Sequence, residues 1–390
     1  MTTARTTTVD RRPELDAIRT LVVVGLVFFH SALVFDENDD FYVKNADTTS
    51  ITTVLAGFAV LWAMPALFLI AGFGSWHSMD RRGPGGFARE RLQRLGVPLL
   101  FAILTFLPVP PWLRLKAVDP GYHESYLAFL PKFYTVHLDL ADFPFVLGGD
   151  YFETGHLWFV VLLLTFALLL AAASRWAPRA GEAKEALARA VGRRGVVLLP
   201  AVVMSAICAF VGMEEAFAGW SRWAYLLFFL SGFLLASDDR FRVAMRRDAV
   251  PAAITAAAVF AVTGPVLLTA GDDPFTAMTA HAIVARALFG FAGWCAVVAI
   301  LGLLDRRNTT RTPREPSRAY LYLAVAALPI YVLHQPIVVA VAYGVVRWDA
   351  PIIVKYLAIV TAALTLTLAA YEFLVRRTRL TRYLFGMRLR

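Results

Sequence analysis

Ile18-Arg19-Thr20-Leu21-Val22-Val23-Val24-Gly25-Leu26-Val27-Phe28-Phe29-His30-Ser31-Ala32-Leu33-Val34-Phe35 is the stretch on which the fold turns. A helix on a soluble domain keeps a polar stripe along one side, and this run has none. At 1.5 Å per residue it reaches about 27 Å, close to the hydrocarbon thickness of a bilayer. Similar runs recur, and the sequence predicts spans near residues 18–36, 51–74, 97–112, 156–174, 195–213, 220–237, 250–270, 283–304, 319–345 and 352–375. The run at 97–112 is short and carries Pro98, Pro108, Pro110 and Pro111, so it reads as tilted or re-entrant. The expected fold is all-α: a polytopic transmembrane helix bundle of about ten spans.

Composition agrees. Of 390 residues, 58% are hydrophobic and 17% charged, with a mean hydropathy of +0.61, whereas ordinary soluble domains are about 25% charged. The net charge of +9 invites a nucleic-acid reading, but a basic binding face would gather on one soluble surface. Here 30 of the 38 Lys and Arg residues fall in alternate connecting segments, beginning with Arg5 to Arg19, Arg81 to Arg94 and Arg175 to Arg194. That is the positive-inside pattern, and it predicts both termini in the cytoplasm of a cell-membrane protein. The first run is longer than a signal-peptide core and ends in Val34-Phe35-Asp36-Glu37 without small cleavage-site residues, so it is expected to remain as a span.

The chain reads as one membrane domain over residues 1–390 with an outer-side insertion at Leu113–Gly155 that could cover or line a site. Cys208 and Cys295 lie in separate apolar runs with no metal-ligand spacing, and read as packing residues. No phosphate-binding GxxxxGK[ST] loop is present, which argues against an ATP-driven pump.

Ionisable groups inside spans are costly unless they line a cavity or find a partner. Arg19 and His30 are eleven positions apart, about 1100° on an α-helix, so they share a face with a rise of roughly 16 Å between them. Asp16 falls near the same face. The plain alternative is a snorkelling arginine and a hydrogen-bonded core histidine. His156, opening the fourth span, and His334, about fifteen residues into an outward-running span, fall in the same outer half as His30. Each alone could merely satisfy a carbonyl; their common depth favours a site. His77 lacks that support. On the inner side Arg91 and Arg94, i and i+3, would share a helical face, and paired guanidiniums suit phosphate, although an inner basic loop needs no ligand.

These residues resemble the membrane-bound acyltransferase-3 family, which includes O-acetyltransferases of surface glycans and succinyltransferases of periplasmic glucans. Leu15-Asp16-Ala17-Ile18-Arg19 leading to His30 resembles its Arg-x10-His element, Met64-Pro65-Ala66-Leu67-Phe68-Leu69-Ile70-Ala71-Gly72-Phe73 its second-span signature, and Arg91-Leu92-Gln93-Arg94 its Arg-x-x-Arg element. His156-Leu157-Trp158-Phe159, Tyr331-Val332-Leu333-His334-Gln335-Pro336 and the closing Leu384-Phe385-Gly386-Met387-Arg388 also match. Ala63 departs from the glucan-modifying branch, where arginine is expected before Met-Pro. The resemblance implies acyl transfer from cytosolic acyl-CoA (acetyl-CoA or succinyl-CoA), a donor substrate and not a resident cofactor, to a hydroxyl of a glycan or glycosylated metabolite at the outer face. Arg91 and Arg94, with Arg19, would hold phosphates. His30 would act as general base or acyl-carrying nucleophile, and His334 and His156 would orient the acceptor or stabilise the oxyanion. The competing class is a secondary transporter with an Asp16, Arg19 and His30 proton relay, in which Pro65, Gly72, Pro265 and Pro329 mark broken helices.

Overall fold

A computed structural model describes residues 13–174, 181–269, 273–309 and 317–388; Arg5 and Arg175, at the edges of two of the basic segments, lie outside them. The described residues are helical with almost no strand, and the only sheet among them is a two-residue hairpin, β1 (His137–Leu138) on β2 (Leu147–Gly148).

Among the described residues, seven runs are long and apolar enough to cross a membrane: Glu14–Leu33, Ser50–Val118, Gly155–Ala173, Asp239–Leu267, Ala280–Thr309, Arg318–Val345 and Ile352–Val375. The expected ten spans are therefore not ten separate long helices. The spans expected at 51–74 and 97–112 lie in one 69-residue helical run. Its first helix, α2 (Ser50–Arg91), is broken at Gly83, where φ is +68°, so the chain turns back on itself. The two arms then face each other, with Ser78 Oγ donating to Glu90 Oε2 at 2.6 Å and Arg91 Nη2 to Ser75 Oγ at 3.4 Å. A π-turn (Leu92–Gly96), α3 (Val97–Thr105) and α4 (Val109–Val118) complete the run. Leu113–Val118 thus belongs to a helix, and the connecting segment proper begins at Asp119, carrying α5 (Tyr126–Phe133). The spans expected at 195–213 and 220–237 are shorter: a helical run over Val196–Val211 made of a 3₁₀ turn (Val196–Leu198), α8 (Pro200–Ala206) and a π-turn (Ile207–Val211), and α9 (Arg222–Leu235).

Helices in lipid gain little by hiding apolar surface from one another, so close backbone approach must supply the attraction. Glycine permits it where α2 crosses α9. A Cβ on Gly72 would stand 1.9 Å from Phe229 O, and a Cβ on Gly232 1.9 Å from Leu69 O. The remaining helices are α1 (Pro13–Leu33), α6 (Trp158–Ala173), α7 (Gly181–Ala190), α10 (Asp239–Leu268), α11 (Ala280–Thr309), α12 (Arg318–Val345), α13 (Ile352–Ala370) and α14 (Arg379–Leu384). α1 packs along α12, which brings residues about three hundred positions apart into contact. Beyond α1 the chain is tied back: Lys44 Nζ donates to Leu33 O at 2.9 Å, capping the helix, and Asn45 N bonds Val34 O at 2.9 Å. Cys208 and Cys295 are buried, unpaired packing residues.

Candidate functional site

The three histidines expected at a common depth converge. His30 on α1 and His334 on α12 stack with ring centroids 5.0 Å apart and planes 9° from parallel. His156, in the 3₁₀ turn Gly155–Leu157 that opens α6, stands edge-on to His334 at 4.9 Å. His334 is fully buried and the other two nearly so.

Their hydrogen-bond partners assign their protons. His334 Nδ1 lies 2.6 Å from Tyr331 O; a carbonyl only accepts, so Nδ1 carries the hydrogen and Nε2 of the neutral ring holds a lone pair. That Nε2 is 3.1 Å from His30 Nδ1, so His30 Nδ1 donates. His30 Nε2 is left with its lone pair and, among the described residues, no hydrogen-bond partner. His156 repeats the logic: Nε2 faces Val332 O at 3.2 Å and must donate, which leaves Nδ1 an acceptor, buried and unpartnered.

Local sequence explains why those carbonyls are available. Pro336 has no N–H, so the helical bond that residue 336 would make to Val332 O is missing, and the freed carbonyl takes the His156 proton. Gln335 Oε1 accepts from His156 N at 3.0 Å, and the Tyr331 hydroxyl donates to His156 O. Gly155 sits at φ +46°, where a Cβ would come within 3.3 Å of both Gln335 Oε1 and the Tyr42 hydroxyl. Tyr42 donates to Glu153 Oε1, and burial pushes both groups above their ordinary ranges. These contacts place the 119–154 segment and the 34–49 loop against the histidine cluster.

The three predicted arginines gather at the other end. Arg19, Arg91 and Arg94 line one cavity of about 430 Å³ together with Arg81, Arg82 and Arg388. The cavity runs inward past Val23, Leu67, Phe159 and Val160 to Tyr331, whose ring lies 5.4 Å from His156 and 5.7 Å from His334. Asp16 pairs with Arg19 at 3.0 Å as the helical spacing predicts. Arg94 is held by Glu90 at 3.7 Å and by Gly386 O at 3.3 Å. Arg19 Nε and Arg91 Nε are buried in the wall without protein partners.

Sequence reasoning gave Tyr331 no role beyond its place in the Tyr331–Pro336 motif, yet that residue forms the partition between cavity and histidines. It also missed Arg388 and His77, which lines the cavity. For Arg388 the closing motif was a usable signal; for His77 none was available, since its relevance depends on the turn at Gly83.

A family model described as an acyltransferase domain, that of the acyltransferase-3 family, matches residues 12–372. Among curated proteins, glucans biosynthesis protein C of Escherichia coli strain K12 is 26% identical over 157 residues, 40% of this chain and 37% of that protein. The same protein from E. coli O157:H7 (strain EC4115 / EHEC) matches with the same identity and coverage, so the chain spans little more than a third of these relatives' length. No solved structure matches.

Proposed function

The chain belongs to the acyltransferase-3 family, and from that membership together with the geometry of its cavity we propose that it moves an acyl group, acetyl or similar, from cytosolic acyl-CoA to a hydroxyl of a glycan or glycosylated metabolite presented at the outer face. The observation that carries the reading is the single cavity that joins six arginines to the partition beside three buried histidines. Phosphates need guanidiniums and a pantetheine arm needs apolar walls, and the cavity has both, with Val23, Leu67, Phe159 and Val160 leading to Tyr331; the buried histidines beyond would shelter a thioester from water.

His30 is the base. Its Nε2 lone pair takes the acceptor's proton while the hydroxyl oxygen attacks the thioester carbonyl. The tetrahedral intermediate then collapses, the C–S bond breaks, and the leaving thiolate takes the proton from His30. His334 fixes the His30 tautomer and ring plane by accepting from Nδ1, as a carboxylate does in a serine hydrolase triad. His156 has spent its N–H on Val332 O, so in the neutral form it suits orientation of the acceptor through Nδ1 and not donation to an oxyanion. Were His30 instead to carry the acyl group, the same Nε2 would form the bond, and a stoichiometric burst of CoA without acceptor would mark it.

The test is purified protein incubated with acetyl-CoA or succinyl-CoA and candidate saccharide acceptors, with free thiol measured. Acceptor-dependent thiol release is expected. Saccharide flux into sealed vesicles without thioester cleavage would replace the enzyme with a carrier.

A further inference from the structure

Five of the six cavity arginines come from α1 and the folded α2 run; the sixth, Arg388, arrives from the far end of the chain. We propose that the C-terminal segment Leu384–Arg388 is a built part of the donor site and that Arg388 binds a phosphate of the donor's adenosine-diphosphate portion. This rests on the acyl-CoA reading above.

The segment is held by ring packing, a glycine turn and a reciprocal bond to Arg94. Phe385 is 6% exposed, stacked 6.3 Å from Phe106 at 11° and edge-on to Phe101 at 5.5 Å. α14 then ends on Gly386, with φ +68° and backbone bonds from Gly386 N to Tyr383 O at 3.0 Å and Met387 N to Arg382 O at 2.8 Å. A Cβ at Gly386 would stand 2.3 Å from Arg94 O and 2.9 Å from side-chain atoms of Leu328 and Pro98. The turn is therefore pressed against the Arg94 backbone, and Arg94 Nε bonds Gly386 O in return.

The result is a fixed bracket that delivers Arg388 to the cavity wall, where its exposed side chain has no hydrogen-bond or ion-pair partner among the described residues. Among the described residues, only two carboxylates, Asp16 and Glu90, share that wall with the six guanidiniums. Crowding a sixth cation there is unfavourable until a polyanion enters. Arg379 supplies the contrast: it opens the same short helix, is exposed, and lies off the cavity. A charge serving topology alone could stand there equally well.

The full chain, purified into nanodiscs of phosphatidylcholine, is titrated with CoA by calorimetry, and each variant is first melted to confirm folding. Arg388→Ala should weaken CoA binding on the order of 10-fold, the loss of a charged hydrogen bond. Phe385→Ala, which leaves the arginine but removes its anchor, should weaken it comparably, and Arg379→Ala should bind as the wild type does. Wild-type affinity in folded Arg388→Ala protein, or an equal loss in Arg379→Ala, overturns the assignment. A loss that appears only when phosphatidylglycerol is added to the discs makes a lipid headgroup the ligand, and also overturns it. Wild-type protein that fails to bind CoA removes the donor reading itself, and the inference falls with it.

Discussion

At the scale of single residues, what matters is where each proton resides. The link from His30 Nδ1 to His334 Nε2 is neutral, ends on a backbone carbonyl, and leaves one lone pair at His30 Nε2. In His30→Gln the amide can still donate to His334 but cannot accept and release a proton. Transfer is expected to fall by roughly 10²–10⁴-fold while CoA affinity, measured by calorimetry, stays at its wild-type value. Near-normal turnover in folded protein would shift the base to His156 Nδ1. A second residue outside the spans sets a pH dependence of stability. Burial lifts Asp39 from its ordinary value of 3.8 to about 6, with Asp36, Glu215 and Asp40 adding to the rise and Lys44 opposing it. The folded state then holds a proton that the unfolded state has lost, so this contribution to stability is present below about pH 4 and is lost as pH rises through about 6. Asp39→Asn should therefore raise the melting temperature at pH 8 and leave it unchanged near pH 4; an equal shift at both would refute the titration. The common depth of the three histidines was legible from sequence, because helical rise converts position into depth. Their proton assignment was not, since it depends on contacts between residues 304 positions apart.

Among the helices, α12 shows how a local defect creates a site. Pro336 costs the helix one hydrogen bond and hands Val332 O to His156. Restoring the amide with Pro336→Ala should let the helix reclaim that carbonyl, freeing the His156 ring to rotate. Turnover is expected to drop about tenfold, or ~1.4 kcal/mol of barrier, with no fall in melting temperature and unchanged affinity for CoA. Undiminished turnover would mean that the Val332 contact is incidental. Helix type was readable almost everywhere from uninterrupted apolar runs, but helix length was not. The 195–213 run is helical only over Val196–Val211, passing from a 3₁₀ turn into α8 at Pro200 and into a π-turn at Ile207, and α9 reaches only Leu235. The two-armed fold of α2 hangs on the positive φ of Gly83, and neighbouring Gly85 and Gly86 gave the sequence no means of choosing which glycine would bend.

For the whole molecule, the arginine-lined end of the cavity should face the cytosol. Cysteine reporters replacing Arg82 or Arg193 should resist an impermeant thiol reagent in intact cells, and those replacing Asp40 or Asp142 should react; the native Cys208 and Cys295 are buried and will not obscure the result. The third reporter that the charge pattern suggests, Arg311, lies outside the described residues. Labelling at Arg82 would invert the orientation and take the cytosolic donor with it. Charge sorting lets the sequence predict this orientation, because it acts on loops one at a time. The cavity was not readable in that way, since its wall draws on α1, α2, α6, α12 and the chain's end together.

The imidazole pair ends on a carbonyl, with no carboxylate in its chain of hydrogen bonds. A proton received at His30 Nε2 would thus be an isolated charge at membrane depth, tolerable only until the departing thiolate collects it. In the proposed transfer of a neutral acyl group such as acetyl, charge then balances within each turnover: the acyl group leaves toward one compartment, a hydrogen replaces it on sulfur in the other, and no net charge crosses. In sealed, oriented vesicles supplied with acetyl-CoA, the rate of transfer should accordingly ignore a potassium diffusion potential of either sign. A voltage-sensitive rate would show that a further ion accompanies the acyl group.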